Sequence, residues 1–146
     1  MKFSVLIANY NNGKFFKECY DSIIAQDYKN WEAIILDDAS TDDSLEVIKK
    51  ITGNDERFKI YRNEENSGVG ITKSKLIELA EGDICGFVDP DDAITSNALS
   101  SSIKIFQKQR DVVLTYSKFA KCDENLKILE VPKIAQQVIN NSMFFF

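Results

Sequence analysis

Three aspartates fall within four residues at Asp89-Pro90-Asp91-Asp92, directly after the apolar run Ile84-Cys85-Gly86-Phe87-Val88. Carboxylates packed this closely repel one another and resist ionising together. Pro90 fixes its own φ and stiffens the turn. A rigid acidic turn at a buried strand end makes sense where a divalent cation neutralises it. Hard oxygen ligands suit Mn²⁺ or Mg²⁺, which keep coordination positions open for substrate phosphates. The competing reading is a solvated turn in which Asp92 caps the next helix, and the role of Asp92 stays open. A second acidic pair, Asp37-Asp38, ends another apolar run. An acid at such a point in a nucleotide-binding unit accepts hydrogen bonds from a base or ribose. The cluster from Asp37 to Asp43 also carries helix-capping chemistry, and both roles can hold at once, with Ser40, Thr41 or Asp43 capping while Asp38 meets a ligand. Tyr10, within Asn9-Tyr10-Asn11, could stack on a base or simply pack.

The composition leaves this work to carboxylates. The 146 residues include no histidine, which removes Ser-His-Asp and Cys-His catalysis and His-ligated metal sites from this stretch. Acids outnumber Lys and Arg by 23 to 18, and the net charge of −5 with no basic patch argues against nucleic acid as a partner. At 44% hydrophobic and 28% charged, with 6 Gly and 2 Pro, the chain is ordinary globular material. Its length is that of one domain. Cys19, Cys85 and Cys122 are odd in number, widely spaced and without a CxxC, so three reduced, mostly buried thiols are expected. The apolar N-terminus is too short for a signal-peptide core, and no window approaches the ~18 apolar residues of a membrane span.

Several elements must position these groups. Phe3 to Ala8, Trp31 to Leu36, Phe58 to Arg62, Ile84 to Val88 and Val112 to Tyr116 read as strands. The segment from Phe119 on is a candidate for another. Apolar residues at helical spacing predict helices over roughly 14–26, after Asp43, after Gly70 and over roughly 96–109. Gly53 and Gly82 suit helix C-termini. The alternation implies βαβ units, hence an α/β fold with an open, mostly parallel, Rossmann-like sheet and helices on both faces. Ligands of such sheets bind beyond the carboxyl ends of the strands, so the loops at Asn9-Tyr10-Asn11, Asp37-Asp38 and Asp89 to Asp92 should converge on one cleft. There is no P-loop, and Gly68-Val69-Gly70 lacks the third glycine of a dinucleotide fingerprint. Asn140-Asn141-Ser142 matches a glycosylation sequon, with nothing else suggesting secretion.

Read in order, Ser4 to Asn11, Ser22 to Tyr28, Asp37 to Asp42, Glu65 to Gly70, Ala80 to Asp83 and Asp89 to Asp92 resemble the blocks of the family 2 glycosyltransferases with the GT-A fold. The resemblance spans residues 3–117. It implies a nucleotide-sugar donor, with UDP favoured as the nucleotide, a Mn²⁺ or Mg²⁺ cofactor and inversion at the anomeric carbon. It places Ala8 and Tyr10 against the nucleotide, Asp38 on the base, Asp89 on the ribose side and Asp91 on the metal that bridges the diphosphate. Lys73 stands where many members carry Arg, and it offers a point charge to phosphate but no bidentate fork. Ala8 replaces the usual Pro or Thr and removes a side-chain hydroxyl contact.

The family's general base comes from a later acidic motif in the acceptor-binding half. After Tyr116 only Asp123, Glu124 and Glu130 occur, without matching context, and the sequence closes on Phe144-Phe145-Phe146. The expectation is therefore a single GT-A domain over residues 1–146, a donor-binding portion of a longer enzyme, with the base beyond Phe146 and the fragment alone inactive. The acceptor implied is a saccharide or lipid-linked molecule in polysaccharide or glycolipid synthesis. Two other readings are a nucleotide-sugar-binding module without turnover and a GT-A-like nucleotidyltransferase, although Asn9 to Lys14 fits the Gly-rich loop of the latter poorly. Reduced thiols and a soluble donor suggest the cytoplasm, with the full enzyme at the inner membrane face.

Overall fold

The computed structural model describes residues 1–123 and 126–132. It divides into two units, Met1–Val112 and Val113–Phe146. The first holds four strands, β1 (Phe3–Asn9), β2 (Trp31–Asp37), β3 (Phe58–Arg62) and β4 (Ile84–Phe87). Its helices are α1 (Phe16–Ile24), preceded by a 3-10 turn over Gly13–Phe15, then α2 (Ser44–Thr52), α3 (Val69–Leu79) and α4 (Ala98–Lys108). All pairings in this sheet are parallel, in the order β3-β2-β1-β4. The expected α/β architecture is therefore formed.

Alternation along the strands separates two cores. Phe3, Val5 and Ile7 of β1, with Ala33 and Ile35 of β2, face Phe16, Cys19 and Ile23 of α1, Ile48 of α2, and Leu99 and Ile103 of α4. Leu6, Ile34 and Leu36 point the other way and bury Leu76 of α3. Helices thus cover both faces, which is why β2 is buried along its whole length and lacks polar alternation.

Several expectations are corrected. Residues 112–116 form no strand, and Val113 and Leu114 are exposed. Extended, β-branched sequence takes its strand character from cross-strand partners, and this run pairs with none among the described residues. In the second unit, β5 (Lys121–Cys122) pairs antiparallel with β6 (Ile128–Glu130). Gly82 is not a left-handed helix terminus: α3 stops at Leu79 with Ala80 extended. Gly82 is needed for close approach instead, because a Cβ there would lie 2.6 Å from Ser4 Oγ. The thiols are free, as expected, but only Cys19 is buried, while Cys85 and Cys122 are exposed. Cys85 sits on β4, one of the two edge strands of its sheet. Glu124, the sequon at Asn140 and the Phe144 to Phe146 run lie outside the described residues.

Candidate functional site

The strand order creates the site. From β1 the chain steps outward to β2 and β3, then returns to place β4 on the other side of β1. The crevice beyond the carboxyl ends of the strands at this reversal is where open α/β sheets bind ligands. Register brings the predicted groups to it. Asn9 pairs with Asp37, Asp37 with Arg62, and Leu6 with Phe87. A pocket of about 190 Å³ opens there, lined by Ala8, Asn9, Tyr10, Asp38, Asn66, Gly68, Val69 and Thr72. Ala8, Tyr10 and Asp38 therefore share one cavity, whereas Lys73, Asp89 and Asp91 do not line it, so the acidic turn does not join the other two loops in this pocket.

Asp38 is 3% exposed. Its Oδ1 accepts hydrogen bonds from Asn63 Nδ2 (2.7 Å) and Ser67 N (2.9 Å), and its Oδ2 from Gly68 N (2.9 Å). Burial works against its charge, but the hydrogen bonds led by Ser67 and Asn63 outweigh it and hold the carboxyl below its ordinary range. A carboxylate has about four acceptor sites. Three are taken by these donors, and the Thr72 side chain, whose hydroxyl also donates to Gly68 O at 3.0 Å, is a further partner of the carboxylate. Gly68 has φ +81°, a conformation open to glycine, and this aims its N–H at Asp38 while opening α3.

Asp37, fully buried, braces the neighbouring loops and has a different task. Its Oδ1 accepts from Asn9 Nδ2 (2.8 Å) and from the Ser40 hydroxyl, and its Oδ2 from Ser40 N (3.0 Å). Ser40 Oγ in turn accepts from Asn11 N at 3.0 Å. Two non-glycine residues in this brace, Asn11 (φ 54°) and Ala39 (φ 58°), hold left-handed backbone. Asp43 is the N-cap residue of α2, as expected, and its carbonyl accepts from Val47 N at 3.0 Å, but its side chain makes no capping hydrogen bond. Asp42 Oδ1, one residue earlier, accepts from Ser44 N at 3.0 Å instead.

The acidic turn follows β4. Pro90 is buried, while Asp89, Asp91 and Asp92 face solvent. Asp92 N donates to Asp89 O at 3.0 Å and closes the turn. Asp92 does not cap α4, whose N-cap is Asn97. Partial burial, then the charges of Asp91 and Asp89, push its carboxyl above the ordinary range. The same turn reaches Cys19 beneath it: burial first, then Asp92, Asp91 and Asp89, raise that thiol to about 12, so it is an inert core group. Lys73 of α3 pairs with Asp89 at 3.1 Å and lies over the Phe87 ring at 5.4 Å. The loop behind the turn is pinned to α1. Gln26, fully buried, donates to Thr95 O (2.8 Å) and Ser22 O (2.9 Å) and accepts from Leu99 N (3.1 Å).

Among the described residues no three His, Cys, Asp or Glu side chains form a ready-made metal cage. The donor set still fits a divalent ion of the Mg²⁺ class. Such an ion takes one or two carboxylates and completes its shell with water and substrate phosphates. Asp91 makes no side-chain hydrogen bond or ion pair among the described residues, and the mutual repulsion felt by Asp92 marks a place where added positive charge is favoured. No helix among the described residues is long and apolar enough to cross a membrane.

Sequence reasoning missed Asn63, Ser67 and Thr72. The signal was available for Asn63, since it follows β3 as Asp38 follows β2, and Asp37 pairs with Arg62. Ser67 and Thr72 depend on how the loop folds back, which no local pattern records.

The family model for glycosyl transferase family 2 matches residues 4–143. An uncharacterized glycosyltransferase of Haemophilus influenzae is 33% identical over 120 residues, covering 82% of this chain and 48% of that protein. The putative teichuronic acid biosynthesis glycosyltransferase TuaG of Bacillus subtilis is 29% identical, covering 80% of this chain and 46% of its own. Among solved structures, S. aureus TarS 1-349 in complex with UDP-GlcNAc superposes with a TM-score of 0.70 at 33% identity, over 75% of this chain and 32% of that one. The fold is thus of the GT-A type, and the chain spans less than half the length of these relatives.

Proposed function

Because this chain belongs to glycosyl transferase family 2, we propose that it binds the nucleotide-sugar donor of an inverting, metal-dependent glycosyltransferase that builds polysaccharide. The observation that carries this reading is the floor of the pocket, where the oriented carboxylate of Asp38 lies beside Ala8 and Tyr10. A carboxylate oxygen matches a base edge with a ring N–H, such as uracil N3–H. The UDP-GlcNAc held by TarS supports uridine as the nucleotide. Tyr10, 46% exposed, offers its ring to the face of the base.

The leaving group is a nucleoside diphosphate, and its developing charge must be stabilised. Lys73 presents an ammonium at the start of α3, and its bond to Asp89 keeps both at the rim of the crevice. Asp89 would face the ribose side. Asp91 would hold Mn²⁺ or Mg²⁺, which supplies charge stabilisation to the departing diphosphate when bound. Pro90 keeps these carboxylates on a fixed turn. The name of TuaG supports a growing saccharide or lipid-linked polymer as acceptor, and the free thiols support a cytoplasmic setting, with the full enzyme at the inner membrane face.

Titration calorimetry with UDP, with and without Mn²⁺, tests the reading. Binding is expected to need the metal, to be lost in Asp91→Ala and to be weakened in Asp38→Ala. Equal binding with and without metal would sink the assignment of Asp91.

A further inference from the structure

Asp38 has more acceptor capacity than a base-reading group needs, and the structure removes the excess. Asn63, 7% exposed, donates its Nδ2 to Asp38 Oδ1 at 2.7 Å. An amide can turn over by half a rotation and present oxygen instead, which would set a lone pair against the carboxylate. Lys75 prevents this: its ammonium donates to Asn63 Oδ1 at 2.9 Å. The backbone N of Asn63 donates to Asp37 O at 2.8 Å and anchors the residue one step past the β3 ladder. A chain of charge-assisted hydrogen bonds thus runs from Lys75 on the exposed side of α3, through Asn63, to the pocket floor.

We propose that Asn63, locked in orientation by Lys75, is a positioning residue for nucleotide specificity. It occupies Asp38 Oδ1 together with Ser67 N, fixes the rotation of the carboxylate and leaves Oδ2 as the oxygen offered to the base, with the Thr72 hydroxyl turned to Gly68 O. This rests on the reading of Asp38 as the group that meets the base. A pyrimidine with a protonated ring nitrogen, as in uridine, satisfies that acceptor. Cytidine presents a lone pair there and is rejected. A carboxylate free to rotate, or with a second open site, could reach the exocyclic amine of cytosine and would discriminate less.

The test compares UDP and CDP binding by calorimetry with Mn²⁺ present, and Mn²⁺-pyrophosphate binding as a probe of the phosphate end alone. The wild-type protein is expected to prefer UDP, and Asp38→Asn to lose that preference. Lys75→Met, a surface change that leaves the pocket lining intact, is expected to weaken UDP about fivefold and narrow the UDP-to-CDP ratio while leaving pyrophosphate unchanged. Lys75→Arg should restore the ratio. Asn63→Ala should narrow it further. If Asp38→Asn loses the preference while Lys75→Met keeps it in full, the positioning role is overturned and the reading of Asp38 stands. If Lys75→Met weakens UDP and pyrophosphate alike, the residue is structural only and the proposal fails. If Asp38→Asn itself keeps the preference, the base reading fails and this inference falls with it.

Discussion

The two ends of the parallel sheet both carry acid clusters, and they are built in opposite ways. At the amino end Glu32, 2% exposed, accepts from Ser4 Oγ (2.7 Å) and Glu81 N (2.9 Å) and pairs with Lys2 (2.8 Å) and Lys59 (3.0 Å). Glu81 takes the same two lysines, at 3.0 and 2.7 Å. Two acids meet two bases and the cluster is closed. Although burial raises it, these partners hold Glu32 down at about 2. At the carboxyl end Asp89, Asp91 and Asp92 share only Lys73 among the described residues, and Asp92 is pushed the other way. A closed cluster spends its charge on the fold. An open one keeps negative charge available, which is the arrangement a cation-binding site requires.

The comparison can be broken from the amino end first. Glu32→Ala leaves two lysines facing an emptied, buried position and should cost about 3 kcal/mol of stability by denaturant unfolding. UDP affinity of the folded fraction should not change, and a large loss of affinity would show that the two ends are not separate. Next, Asp91→Ala should lower Mn²⁺-dependent UDP affinity by about a hundredfold with unfolding midpoint nearly unchanged, as expected for loss of a metal ligand. The pH behaviour should also divide the ends. Glu32 titrates below its ordinary value of 4.5, so its stabilisation is complete above that value and is lost as pH falls through about 2. Glu32→Gln should flatten the acid limb of the stability curve. Asp92 has the reverse sign, since its raised value favours the folded state when protonated, so Asp92→Asn should stabilise the metal-free protein modestly at neutral pH. A destabilised Asp92→Asn would contradict the open-cluster account. The smallest effect is expected at Ala39, whose φ of 58° suits glycine, so Ala39→Gly should stabilise by about 0.5 kcal/mol in thermal unfolding.

Much of the architecture was legible because alternation and helical spacing leave local traces. The runs Phe3 to Ala8 and Trp31 to Leu36 are apolar because both sheet faces are covered, and each ends where polar chemistry begins. The acidic turn was legible for a physical reason: like charges are not stored at a strand end without use. The fifth strand misled because Val112 to Tyr116 has strand composition, while strand formation needs a partner. Gly82 misled because a glycine near a helix end suits either a left-handed terminus or a close approach, and Ser4 Oγ decides between them from 78 residues away. The roles of Asn63 and Lys75 lie in the same class, carried by contacts that sequence order does not predict.

Gln26 has a consequence for how the site can move. Leu99 N–H, at the start of α4, would be an open donor, and it is instead sealed by the Gln26 side-chain carbonyl, while the same amide grips Thr95 O from just past the end of α1. With Ile94 N on Ser22 Oγ and Asp27 N on Ser96 O, the stretch from 94 to 99 is riveted to α1 and the residues that follow it. In amide exchange, Leu99 should therefore behave as part of the slowest-opening core, while the Asp91 and Ala93 amides at the tip should exchange much faster. Any local opening near the acidic turn is then confined to the few residues between β4 and Ile94, and a long loop does not peel away with them.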